Sequence, residues 1–206
     1  SPRLTNESIY TLGRFANDAV KGPIAIDDRA DMSAFFANLS APLATHRDIR
    51  YAKTIVIVGG EPEEEQTFTA KQARQAVKNG GAKLLFVHVN TGTIDAFALA
   101  ATGASNDSLA ADKMGIDAGE LEALRKTLND TQGDIVIMCG SDLSPYAQAV
   151  IAGTAGSLAG EGRRVLLHPL PLYNNSVGAI DMLPAASSTK EVALDCGYLL
   201  IAGSLQ

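Results

Sequence analysis

The sequence predicts a doubly wound α/β fold, a parallel sheet built from two β-α-β halves, and three observations carry that expectation. Lys53 to Val58 (KTIVIV) and Asp134 to Cys139 (DIVIMC) are unbroken apolar, largely β-branched runs of strand length, the pattern of strands buried on both faces. Each runs straight into glycine, at Gly59-Gly60 and at Gly140, and is followed by a helical stretch and another apolar run. With 206 residues, 46% of them hydrophobic, the chain is long enough to bury a substantial core.

In chain order, Thr5 stands where a helix N-cap belongs, and apolar positions follow with helical spacing at Ile9, Leu12, Phe15 or Ala16, and Ala19 or Val20. No strand precedes this helix, so residues 1–50 are expected to be a helical lead-in belonging to a larger parent, with α/β units over 51–130 and 131–206. Gly22-Pro23 breaks the first helix, and Asp27, Asp28 and Asp31 form a loop leading to Phe35 and Phe36. After the first strand, Pro62 sits at a first helical turn, Glu63, Glu64 and Glu65 favour the positive end of the helix dipole, and Ala70, Ala73 and Val77 supply an apolar stripe. Lys78 and Gly80-Gly81 close that helix before a second strand, Lys83 to Val89. These pieces form one right-handed β-α-β unit.

Between Asn90 and Leu109 the pattern weakens into small residues, and Ala118 to Leu128 then reads as a charged amphipathic helix with Leu121, Leu124 and Leu128 inward. The second unit comprises the strand Asp134 to Cys139, a helix from Pro145 to Ala159 and a strand from Arg163 to Leu170. Tyr198 to Ala202 is expected to be a last short strand.

The net charge of −6 is spread along the chain, which offers no attractive field to a phosphate backbone and argues against nucleic acid as a partner. No apolar run approaches the roughly 20 residues of a bilayer span, so direct membrane insertion is not expected. Two cysteines, each near an apolar run, suit a reducing, cytoplasmic setting.

Ligands of open parallel sheets collect at the carboxyl ends of the strands, which directs attention to Gly59–Glu65, 88–93, 139–144 and 170–181. Gly59, Gly60, Glu61 and Pro62 lack both dinucleotide and phosphate-loop signatures, and the adjacent Glu63, Glu64 and Glu65 would repel a phosphate; the turn is either structural or ligand-facing. His88 has no ligand at metal spacing, His46 and His168 being distant in sequence, and is expected to be partly buried and hydrogen-bonded. Cys139 lacks an identified base and is expected to be an inert core thiol, with Ser141 and Asp142 as turn and cap residues. The Gly153, Gly156 and Gly160 series fits close helix-to-sheet packing. Asn174 to Met182, with Asn174, Asn175, Gly178 and Asp181, is the most distinctive loop: it either binds a polar ligand or satisfies its own backbone. No catalytic residue and no metal site emerges.

Four motifs in order resemble the molybdopterin oxidoreductase superfamily. Ser1-x-Arg3-x-Thr5-Asn6-Glu7 is similar to its S-x-R-x-T-N-E, and Gly60-x-Pro62-x-Glu64-Glu65 to its G-x-N-P-x-E-E, with Glu61 in place of Asn. Gly81-Ala82-Lys83-Leu84 resembles G-A-K-[LV], and Asn175-x-x-Gly178-Ala179-x-Asp181-Met182 resembles N-x-x-G-A-x-D-M-G, with Leu183 replacing the last Gly. The resemblance implies a vestigial cradle for a molybdopterin guanine dinucleotide at Gly59, Gly60, Glu61, Pro62, Glu64, Glu65, His88, Asn90, Thr91, Thr93, Asn174, Asn175, Gly178 and Asp181. His88-Val89-Asn90 stands where cofactor-binding relatives carry Asp-Pro-Arg, so this piece is expected to hold no cofactor.

Such a degraded site most resembles the 75 kDa-type branch, the large iron-sulfur subunit of NADH-quinone oxidoreductase, respiratory complex I. That branch implies a scaffold fragment whose parent carries the iron-sulfur clusters. Its partners would be the remainder of its own polypeptide and the neighbouring peripheral-arm subunits, on the cytoplasmic side of the inner membrane. A fragment of a molybdopterin-dependent enzyme such as a formate dehydrogenase, and a stand-alone α/β ligand-binding domain, are the alternatives.

Overall fold

Alternating apolar strands and helices pack into a doubly wound α/β architecture. The computed structural model describes residues 4–26, 31–87, 126–172, 176–183, 192 and 200–202. Four strands, β1 (Thr54–Val58), β2 (Lys83–Val87), β3 (Ile135–Gly140) and β4 (Val165–Leu170), form one parallel sheet in the order β2-β1-β3-β4. Register is continuous, with Val58 opposite Val87 on one side and Cys139 on the other. Every residue of β1 and β3 is buried, so both faces of the central strands are covered, as their unbroken apolar runs require.

Before the sheet come α1 (Asn6–Arg14), α2 (Ser33–Ala37) and α3 (His46–Tyr51). Thr5 caps α1 by accepting from the Ser8 amide at 3.4 Å. Thr45 caps α3 with a reciprocal box: its Oγ1 accepts from the Asp48 amide at 3.2 Å, and the Asp48 carboxylate accepts from the Thr45 amide at 2.8 Å. Ahead of α3, Pro42–Ala44 runs beside the outer edge of β4, with Ala44 N–H donating to the Leu167 carbonyl at 2.7 Å and Leu167 N–H to that of Pro42 at 2.9 Å. That edge is thereby paired by the chain itself.

Between β1 and β2 lie α4 (Pro62–Glu65) and α5 (Thr67–Gly80). The sequence predicts one helix here; the structure breaks it at Gln66, whose backbone at φ −138°, ψ 66° is not helical. Gly81 closes α5 in the left-handed region at φ 64°, and Ala82 N–H donates to the Ala76 carbonyl at 3.1 Å. On this face of the sheet, Ile49 from α3, Ala52 just after it, and Ala73 and Ala76 from α5 bury Ile55, Ile57, Val136, Met138, Leu166 and Leu170. Each fully covered aliphatic side chain contributes about 1.5–3 kcal/mol.

Helix α6 (Pro145–Thr154) follows β3, its N-cap Ser144 accepting from the Ala147 amide at 3.2 Å. The predicted helix to Ala159 tightens into a 3-10 turn over Ala155–Leu158, where an ideal Cβ on Gly156 would stand 2.5 Å from the Ser40 carbonyl oxygen. Residues 126–130 are helical, two beyond the predicted end at Leu128.

Several expectations are corrected. The first helix passes into a π-helical segment, Phe15–Val20, that ends at left-handed Lys21. Ser176–Met182, expected as loop, is helix α7, because Ser176 and Ala179 are buried on one side of it. The expected strand at Tyr198–Ala202 is irregular at 200–202, and its first two residues lie outside the described residues, as do residues 88 and 89 of the second strand.

The chain divides into two units, Ser1–Ser33 with Pro171–Gln206, and Ala34–Leu170. The first brings α1 against the end of α7, where an ideal Cβ on Gly13 would stand 3.1 Å from Leu183 Cδ2. The second holds the whole four-stranded sheet.

Candidate functional site

The topology marks its own switch point. From β1 the chain crosses to β2 on one side, while β3 and β4 lie on the other, so the crevice expected to receive a ligand lies beyond the carboxyl ends of β1 and β3. There the backbone closes on itself. Gly59 and Gly60 both take positive φ, 64° and 71°, which turns the chain sharply out of β1. An ideal Cβ on Gly140 would overlap Gly60 N, Gly59 C and Asp142 Oδ1. The turns after β1 and β3 are thus in direct backbone contact, and glycine at 140 is what permits it.

Open space is displaced to the β1–β2 side, under α5. A cleft of about 620 Å³ has Ile57, Leu84, Ala70 and Ala73 in its apolar wall, Phe86 and Val87 towards the β2 end, and Gly59, Gly60, Glu61, Pro62, Glu63, Arg74 and Asp142 around the rest. Arg74 pairs with Glu63 at 3.3 Å, both side chains largely in solvent, so that pair contributes at most about 1 kcal/mol. Glu61 and Asp142 make no ion pair among the described residues. The rim therefore carries excess negative charge, and a cleft of this size accommodates a small molecule.

Of the residues singled out from sequence, Gly59, Gly60, Glu61 and Pro62 come together in this cleft. Glu64 and Glu65 lie in α4, and their side chains are outside the described residues. His88, Asn90, Thr91, Thr93, Asn174 and Asn175 are likewise outside them. Gly178 and Asp181 belong to α7 in the other unit, with Asp181 exposed.

The sequence reading missed Arg74, which carries no motif and reaches the cleft because α5 folds back over β1. Asp142 was expected as a turn or cap residue; it stands in the turn, while Ser144 makes the cap. Cys139 is buried, and burial first, with the Asp142 charge second, pushes its thiol far above the ordinary range. It is a core thiol. No group of three or more His, Cys, Asp or Glu side chains could hold a metal ion among the described residues.

A second cluster joins residues far apart in sequence. His46, at the start of α3, and His168, on β4, bring their rings to 5.7 Å between centroids. His168 Nδ1 lies 3.2 Å from the Ala44 carbonyl, and His46 Nε2 lies 3.3 Å from Thr69 Oγ1. The Phe68 ring meets His46 edge-on at 4.8 Å. Burial holds the His168 imidazole below its ordinary value; the Ala44 carbonyl opposes that, and the neighbouring His46 adds to it.

No family model matches the sequence. No curated protein matches it either. Among solved structures, a chain of the formyltransferase/hydrolase complex (FhcABCD) from Methylorubrum extorquens, determined in complex with methylofuran, is similar at a TM-score of 0.51 and 16% identity. The match covers 80% of this chain and 49% of that one, so this chain spans about half the length of the chain it matches. A likeness at this identity is one of fold.

The expected membership of the molybdopterin oxidoreductase superfamily, and of its 75 kDa-type complex I branch, is thereby corrected: no family model matches, and the neighbour belongs to a formyltransferase/hydrolase complex. With it fall the NADH dehydrogenase, quinone and respiratory-chain assignment, the peripheral-arm partners and the formate dehydrogenase alternative; the stand-alone ligand-binding domain gains no support. Local chemistry accounts for the motif residues that are described. Thr5 caps α1, Gly60 makes the turn against Gly140, Gly81 ends α5, and Gly178 to Met182 continue α7. Caps and turns recur in unrelated folds, which is how short motifs came to align in order. The neighbour is one chain of a multi-subunit complex, and no helix among the described residues is long and apolar enough to cross a membrane.

Proposed function

We propose that this chain is part of a subunit in a multi-subunit enzyme that transfers or hydrolyses formyl groups, where it serves as an α/β scaffold beside the catalytic subunits. One observation carries the reading: the fold correspondence over 80% of the chain with a chain of the formyltransferase/hydrolase complex. The chain's own chemistry is in keeping with a supporting role. Its buried thiol is held protonated, and its strand-end crevice is filled by the Gly59-Gly60 and Gly140 backbone. Among the described residues, a pyrophosphate-bearing cofactor would meet the carboxylates of Glu61, Glu63 and Asp142 around the remaining cleft, against the guanidinium of Arg74. Exposed Phe68 and Phe86 give the sheet-bearing unit apolar surface of the kind that subunit contacts use.

The test is isolation of the full-length protein, tagged at its native locus, followed by size-exclusion chromatography, identification of co-eluting chains, and assays of formyl transfer and formate release. Co-elution with other subunits in a fraction having those activities is the expected result. Recovery of the protein alone, with formyl transfer and formate release undiminished in a deletion strain, would overturn it.

A further inference from the structure

The outer edge of β4 is covered by a short piece of the chain's own backbone, and a pair of histidines stands at the seam. Pro42–Ala44 is held to Leu167 by two backbone hydrogen bonds, and α3 begins two residues later at His46. The Ala44 carbonyl also accepts from His168, at 3.2 Å. A carbonyl can only accept, so the Nδ1 of His168 carries its proton and, in the neutral ring, Nε2 is bare. A proton added there would place a charge in a half-buried site, 5.7 Å from a second imidazole.

We propose that His46 and His168 form a proton-operated latch, which holds the Pro42–Tyr51 segment on the edge of β4 near neutral pH and lets it go in acid.

Among the described residues, little offsets a charge on His168. On α3, Arg47 and Arg50 are exposed, and Asp48 is turned to Thr45 and towards Arg164, 3.8 Å away. β3 sets the uncharged Met138 in register beside His168. From α5, Thr69 and Phe68 face His46, while Lys71 and Arg74 are exposed. Among the described residues, His46 is the ionisable group that acts on His168, and it acts against protonation.

The direction follows. A histidine whose folded pKa lies below its unfolded one gives its full contribution above about pH 6.5, and that contribution is lost as pH falls below this value. The protonated ring still donates from Nδ1 to Ala44, so the cost is that of a charge held out of water beside His46, and lifting the Pro42–Tyr51 segment, which carries His46, relieves it. Release would leave the N–H and C=O groups of β4's outer edge free to pair with another strand.

Amide hydrogen exchange on the full-length protein, between pH 7.5 and 5.0 and corrected for intrinsic rates, reads this directly. Protection at Ala44 and Leu167 is expected to fall about tenfold more than at Ile137 in the interior of β3. In His168→Gln, which keeps a donor for the Ala44 carbonyl, the extra loss should vanish; in His46→Gln it should shrink. Equal pH dependence at the three amides, or an unchanged loss in His168→Gln, would overturn the latch. Should that variant not fold, an NMR titration of the wild-type imidazoles decides: a His168 midpoint at or above about 6.5 removes the driving force. Failure here leaves the formyl-enzyme reading untouched, since that rests on subunit isolation and activity.

Discussion

A single methyl group measures how tightly the two strand-end turns are packed. Alanine at 140 would force its Cβ into Gly60 N, Gly59 C and Asp142 Oδ1, and two of those three are backbone atoms with no rotamer to yield. Gly140→Ala should therefore lower unfolding free energy by about 2–3 kcal/mol, read as the midpoint of urea denaturation. Gly80 at the end of α5 is the control: its φ is not positive and nothing lies within 4 Å, so Gly80→Ala should stabilise by roughly 0.5–1 kcal/mol. A Gly140→Ala midpoint equal to wild type would mean that the turns are not in contact. Cys139 gives a second residue-scale expectation. Burial keeps its thiol protonated, so iodoacetamide at pH 8 should leave Cys139 unlabelled in the native protein and label it fully in 6 M guanidinium, as scored by peptide mass spectrometry. Labelling of the native thiol at the rate of a free cysteine would contradict its placement.

Short helices are set by their ends, and α3 shows it. Its six residues could not hold a helix alone; the Thr45–Asp48 box and the burial of Ile49 define it. Thr45→Ala should cost about 1 kcal/mol. The Asp48 carboxyl is held below its ordinary value chiefly by the Thr45 hydroxyl, then by the Thr45 amide, so its contribution is complete above about pH 4 and lost as pH falls through the folded value. The same variant should thus flatten the loss of stability below about pH 4, and an acid denaturation series in which wild type and Thr45→Ala lose stability in parallel would rule the box out as its source. Elements of this kind were only partly legible. KTIVIV and DIVIMC announced β1 and β3 because strands covered on both faces need apolar side chains at every position. Helix breaks were not announced: Gln66 interrupts a continuous helical pattern, and its Oε1 accepts from Thr69 Oγ1, a hydroxyl that also meets His46 on a different helix. Asn174 to Met182 misled in the opposite sense, since two amides and a glycine read as loop while buried Ser176 and Ala179 make a helix of its second part.

At the scale of the molecule, the sheet and the place of the cleft could be read, but the cleft's contents could not. Gly59 to Pro62 stood out because strand ends and glycines are local signals; Arg74 and the His46–His168 pair did not, because helix packing over the sheet is what brings them there. Motifs built from caps and turns carried the family expectation astray for the complementary reason, that local chemistry repeats in unrelated folds. The sheet and the elements that cover it are concentrated in one unit. The four strands of the described residues, the apolar cluster from Ala44 to Leu170, and the Pro42–Ala44 edge cover lie within Ala34–Leu170, which runs from within α2 to the last residue of β4. A stretch that contains its own sheet, both β-α-β connections and its own edge protection has what cooperative folding requires. Expressed as Ala34–Leu170, the unit should keep a far-ultraviolet spectrum of mixed helix and strand and unfold in urea in a single transition, with a slope of about 1–3 kcal/mol per molar. Gly140→Ala should lower the midpoint of this fragment as it does that of the whole chain, since every atom it strikes is inside the fragment. A broad transition with strong binding of a hydrophobic dye would instead show that Ser1–Ser33 and Pro171–Gln206 supply part of the core, and that the two units fold as one.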